Sequence, residues 1–117
     1  MTKNLFIAAT GKDVGKSTIS FALLKYLQNQ NMKIGYMKPV GQRWKKSKWG
    51  KVEEDVILIK ERFGLKESPS LMNPIVVKKG FTEKYLYKKI KPNLTKSILA
   101  GYKEISKDKD YVIIEGT

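Results

Sequence analysis

Thr10, Gly11, Lys12, Asp13, Val14, Gly15, Lys16, Ser17 and Thr18 run consecutively near the amino terminus. Gly15 lets the backbone turn its amides inward, Lys16 is a flexible cation that can reach outer phosphates, and Ser17 offers a hydroxyl oxygen of the hard kind Mg²⁺ prefers. That order points to a loop that cradles nucleotide phosphates, aided by the amino terminus of a following helix. The strict pattern asks for glycine at position 10, where Thr10 stands, and Gly11 comes one place late. The flanking segments therefore carry the reading, against the alternative of an ordinary strand-to-helix turn with a solvated lysine.

Three further residues are candidates for the same chemistry. Glu115 follows four apolar or aromatic residues, Tyr111 to Ile114, at the carboxyl end of a segment that reads as a buried strand. Open α/β sheets gather ligand groups at that edge, so Glu115 suits an Mg²⁺ ligand, although a surface acid after a strand has the same local signature. Asp55 lies in Glu53-Glu54-Asp55, where a helix start attracts acids through its dipole whether or not they bind anything. Lys38 precedes Pro39 at the end of a second strand. A lysine there can steer a carboxylate or a transferring phosphoryl group, or can be a solvated strand end; spacing does not choose between these. There is no histidine and no cysteine, which excludes thiolate metal sites, disulfides and a near-neutral imidazole base.

The elements that must position these groups follow from periodicity. Leu5 to Ala9 is a continuous apolar run, the pattern of a strand buried on both faces of a parallel sheet. From Ser17 the spacing of Ile19, Leu23 and Tyr26/Leu27 predicts a helix that ends in Gln28 to Asn31. Lys33 to Met37 predicts a second strand, stopped by Pro39 and joined to the first by a parallel crossover. Gly41 to Lys51 is basic and reads as a mobile loop. Val52, Val56, Ile59 and Phe63 predict one helix face, closed by Gly64. Ile75 to Val77 predicts a short strand between turn signals. A short helix from Thr82 through Ile90 and a separate one carrying Leu94, Ile98, Tyr102 and Ile105 are expected either side of Pro92-Asn93.

With 117 residues the chain fits one domain. The first apolar run is too short for a signal peptide or a membrane span, so a cytoplasmic protein with no membrane partner is expected. The net charge of +13 raises nucleic acid as a partner. Against it, only Arg43 and Arg62 of the 24 basic residues are arginine, and the lysines are scattered instead of forming a stripe. Arg43-Trp44-Lys45-Lys46-Ser47-Lys48-Trp49 is the one run where tryptophans interleave with cations, as in single-strand binders. Because it directly follows Lys38, we read it instead as a lid over an acceptor site.

Taken in order, Thr10 to Thr18, Tyr36-Met37-Lys38-Pro39-Val40, Asp55, Met72-Asn73-Pro74 and Val112-Ile113-Ile114-Glu115-Gly116 resemble the dethiobiotin synthetase-like phosphate-loop proteins, which include the ATP-binding domains of cobyrinic and cobyric acid synthases. The resemblance implies a three-layer α/β P-loop NTPase fold, doubly wound around a mainly parallel sheet. Residues 1–117 would form its N-terminal half, a single nucleotide-binding domain incomplete at the C-terminus. It implies ATP and Mg²⁺ as cofactors, with Lys16 on the phosphates, Ser17, Asp55 and Glu115 around Mg²⁺, and Lys38 toward the phosphoryl group or a small-molecule carboxylate or carbamate acceptor. The family's second half supplies base recognition and much of the acceptor pocket, so a missing C-terminal half or a homodimer partner is expected. Lys38-Pro39-Val40-Gly41-Gln42-Arg43 departs from the Lys-Pro-Val-Ala-Ser-Gly of true dethiobiotin synthetases. It looks closer to the front domain of some bacterial phosphate acetyltransferases, which has a regulatory role. An ATP-dependent ligase-like enzyme and a nucleotide sensor without turnover both stay open.

Overall fold

The computed structural model describes residues 2–7, 16–41, 44–76 and 83–116, and the side chains of all of these except 16–18 and 83–94. Its elements are β1 (Lys3–Ile7), α1 (Lys16–Asn29), β2 (Ile34–Met37), β3 (Val40–Gly41), β4 (Trp44–Ser47), β5 (Gly50–Glu53), α2 (Glu54–Phe63), α3 (Pro69–Met72), β6 (Ile75–Val76), α4 (Glu83–Ser106) and β7 (Tyr111–Glu115). Strands and helices are interspersed along the chain, and the main sheet is parallel in the order β1-β7-β2. The fold is α/β of the P-loop NTPase type.

The register sets Leu5 and Tyr36 on either side of Ile113, and Ile7 opposite Glu115. Along β7 the side chains alternate between faces. Val112 and Gly35 lie under α4, where a Cβ on Gly35 would stand 2.9 Å from Ile105 Cγ2. Glu115 lies on the opposite face, where Ser20 of α1 reaches it. Helices therefore cover both faces, and the core between them includes Leu24, Leu27, Ile34, Tyr36, Met37, Val56, Ile59, Met72, Ile105, Val112 and Ile113.

Several local expectations differ from the structure. Leu5 and Phe6 of β1 are exposed, Phe6 to 67%, and only Ile7 is buried. Among the described strands β1 pairs with β7 alone, so its apolar run lies at an edge. For the same reason the β1-to-β2 crossover passes over β7; the two strands it joins are not neighbours. The buried stripe of α1 is Ser20, Leu24 and Leu27, while Ile19 and Tyr26 face solvent. The helix is turned one residue from the purely apolar stripe, and Ser20 on its buried face has a buried hydrogen-bond partner in Glu115.

The basic segment is not a loop. Trp44 to Glu53 is an antiparallel hairpin with Trp44 opposite Glu53 and Ser47 opposite Gly50. Its turn has Gly50 at φ 93 and a Ser47 hydroxyl that accepts from the Trp49 amide at 3.1 Å. Ammonium groups of Lys51 and Lys48 sit 4.6 and 4.5 Å from the ring centroids of Trp44 and Trp49, so the cations cover the aromatic faces. Val52, expected on a helix, is a buried residue of β5. Lastly, α4 is one helix with Pro92 in its interior. Proline there costs about 3 kcal/mol but does not forbid the helix, and residues 98–105 hold the end of it against the sheet and α3. The expected αL closure at Gly64 is present, with φ 63 and its amide donating to Lys60 O.

Candidate functional site

Parallel strands bring their carboxyl ends to one edge. There β2 hands over to Lys38 while β7 ends in Glu115, next to Ile114, the register partner of Met37. Lys38 is 8% exposed and Glu115 1%. The Lys38 ammonium lies 3.3 Å from Glu115 Oε2 and 2.8 Å from Glu53 Oε2. Neither a solvated strand end nor a surface acid describes these residues.

The surroundings fix them. The Ser20 hydroxyl donates to Glu115 Oε1 at 2.7 Å, which ties the second turn of α1 to the end of β7. The Lys38 amide donates to Met72 O at 2.7 Å. Asn73 joins the two sides: its Nδ2 donates to Lys38 O at 2.8 Å and its Oδ1 accepts from the Glu53 amide at 3.0 Å. Tyr36 is fully buried beneath, and its hydroxyl and Glu115 Oε2 have no hydrogen-bond partner among the described residues.

Electrostatics follow from this packing. Burial works against the Lys38 charge, but the hydrogen bond and charge of Glu53, followed by the charge of Glu115, outweigh it, and the pKa ends above the usual lysine value of 10.5. Burial first, and then the Glu115 carboxylate, raise the Tyr36 hydroxyl well above its ordinary range, with smaller contributions from Asp55 and Glu53. Lys38, Glu53 and Glu115 together carry one net negative charge, so the group favours a cation nearby.

Asp55, the second residue of α2, is half-buried, close enough for its charge to act on Tyr36. The backbone of Lys16, Ser17 and Thr18 begins α1; their side chains, and all of Thr10, Gly11, Lys12, Asp13, Val14 and Gly15, lie outside the described residues. So do Gln42 and Arg43. Glu115 Oε2 has the chemistry that suits an Mg²⁺ ion: a buried, hard oxygen at the sheet edge that accepts no hydrogen bond among the described residues and lies 3.3 Å from the Lys38 ammonium. Among the described residues no three acidic side chains form a metal cage, so a cation here would draw its other oxygens from elsewhere.

Sequence reasoning missed Glu53 and Ser20. Glu53 is hidden in an acidic triplet that the helix dipole explains, and β5 is too short to show alternation. Ser20 had a signal, as the small polar member of the i, i+4, i+7 stripe with Leu24 and Leu27.

A parallel α/β sheet with buried charges gathered at its carboxyl edge, beside the first helix, defines a nucleotide-binding class of domain. A family model described as an AAA domain matches residues 3–117, and the chain belongs to that family, as a dethiobiotin synthetase-like nucleotide-binding domain. It is 30% identical over 116 residues to the ATP-dependent dethiobiotin synthetase BioD of Nitrosopumilus maritimus, covering 97% of this chain and 50% of that protein. The BioD of Buchnera aphidicola is 30% identical over 117 residues, covering 99% and 52%. A cobyric acid synthase of Clostridium botulinum is 28% identical over 131 residues, covering 98% and 26%. The chain thus spans about half the length of its dethiobiotin synthetase relatives. Among the described residues no helix is long and apolar enough to cross a membrane.

Proposed function

We propose that the chain binds ATP through Thr10 to Thr18 and takes part in phosphoryl transfer to a carboxylate or carbamate acceptor. The observation that carries this reading is the burial of Lys38 against Glu115 at the carboxyl edge of the parallel sheet, beside α1. Phosphoryl transfer asks little covalent chemistry of a protein and much positioning and charge stabilisation. Lys16 would neutralise the outer phosphates, and the helix amino terminus would add its partial positive charge.

Ser17, Asp55 and Glu115 would hold Mg²⁺, which supplies charge neutralisation across the phosphates. Lys38 is the residue that would orient the acceptor oxygen, and the hairpin β4–β5, which begins six residues after it, is suited to limit water on that side. The remainder of an acceptor pocket would come from further sequence or from a second copy of the chain.

The names of the relatives support ATP use and ligase-like chemistry. Phosphate release from ATP by the purified chain, compared with Lys16→Ala, tests the proposal: a loss of at least about a hundredfold is expected, the scale of removing one transition-state charge contact. ATP binding with no Lys16-dependent release would sink the enzymatic reading. It would leave nucleotide sensing, the second reading, which Gly41-Gln42-Arg43 after Lys38-Pro39-Val40 favours.

A further inference from the structure

We propose that Glu53 is the positioning residue of Lys38: its hydrogen bond to the ammonium, together with the ion pair to Glu115, fixes the direction in which Lys38 meets a ligand oxygen. A lysine ammonium is a point charge on a flexible stem with three rotatable donors, and by itself it directs nothing. Here the Nζ is held between Glu53 Oε2 at 2.8 Å and Glu115 Oε2 at 3.3 Å, and both carboxylates are buried. A hydrogen bond to one carboxylate and an ion pair with a second restrict the direction of that point charge.

The surroundings of Glu53 are built for this placement. Asn73 uses one amide to tie the backbone of Glu53 to that of Lys38, so the two ends of the ion pair share an anchor. Gly41 leaves the room that Glu53 occupies: a Cβ there would stand 2.5 Å from Glu53 Cγ and 2.9 Å from Asn73 Nδ2. Helix-dipole stabilisation does not account for Glu53, because Glu54 and Asp55 already fill the first turn of α2 and Glu53 lies before it, 3% exposed. An acid that served only the dipole would face solvent.

The role for a ligand oxygen rests on the reading of Lys38 as the acceptor-side lysine, but the hold of Glu53 on Lys38 is testable without ATP or acceptor. The full chain is acetylated with N-hydroxysuccinimidyl acetate, and each lysine is followed by peptide mass spectrometry. Lys45, whose side chain is 69% exposed, serves as the internal reference. Lys38 of the unaltered chain should react far more slowly than Lys45. Glu53→Gln should speed Lys38 by about tenfold, the scale of one charge-assisted hydrogen bond, and leave Lys45 unchanged. Gly41→Ala should act in the same direction by displacing the Glu53 side chain. A purely structural role would change all lysines together as the fold loosens, which circular dichroism would register.

Unchanged Lys38 labelling in folded variants overturns the proposal, as does an unaltered chain in which Lys38 reacts as fast as Lys45. If Glu53→Gln does not fold, Gly41→Ala and the unaltered chain decide. Absence of Lys16-dependent phosphate release, by contrast, bears only on the function proposed above.

Discussion

Lys38→Met is the most informative single change, because methionine keeps an apolar stem of similar size and removes only the charge. Glu53 and Glu115 stay buried at 3% and 1% exposure without the ammonium between them. Removing one partner of a buried, hydrogen-bonded ion pair costs about 3–5 kcal/mol. At about 2.1 cal/mol/K of unfolding entropy per residue, 117 residues give about 0.25 kcal/mol/K. The melting temperature should therefore fall by about 12–20 °C. Scanning calorimetry at neutral pH measures this directly. Alkaline pH supplies a second signature. The Lys38 pKa is raised on folding, so its stabilisation is complete below the ordinary value of 10.5 and is lost as pH rises through the raised value. The unaltered chain should lose this contribution in that window, and Lys38→Met should not. A fall of less than about 4 °C, the scale of an exposed ion pair, together with identical alkaline limbs, would refute the account of a buried counter-ion.

Two other changes test the scaffold. Ser20→Ala removes the 2.7 Å donor to Glu115 and should cost about 1.5–3 kcal/mol in urea unfolding, the value of a hydrogen bond to a charged group; an effect below about 0.5 kcal/mol would mean that α1 is not tied to β7 through this contact. Gly101→Ala sets two effects against each other. Helix propensity favours alanine by about 1 kcal/mol, but the new Cβ would meet Leu71 O at 2.6 Å and Met37 Cε at 3.3 Å, so a net destabilisation of about 1–3 kcal/mol is expected from the thermal midpoint, and a gain would contradict the close packing of α4 on α3.

The parallel sheet and its central strand were legible because Tyr111 to Ile114 is apolar and ends in an acid, a pattern that β7 reproduces. Lys38 and Glu115 could be named from the sequence as candidates, but not as partners. Their contact depends on β2 lying beside β7, a pairing across 77 residues that no local period encodes. Glu53 was illegible for a different reason: the helix dipole already explained an acid at that place. The hairpin was misread because its lysines suggest a solvated loop, whereas their stems and ammonium groups cover Trp44 and Trp49. Pro92 misled in the opposite sense, since a local penalty of about 3 kcal/mol yielded to the packing of the helix that contains it.

The strand between β1 and β2 is the latest of the described strands to leave the ribosome. Until Tyr111 to Glu115 emerge, β1 and β2 have no common neighbour, and the main sheet cannot close. Its assembly is therefore a late, long-range event in synthesis. The same insertion that completes the sheet delivers the Glu115 carboxylate to Lys38. A nascent chain released before that point would have neither a closed main sheet nor the acidic neighbour of Lys38, so the completion of the sheet and of this buried charge cluster are a single step.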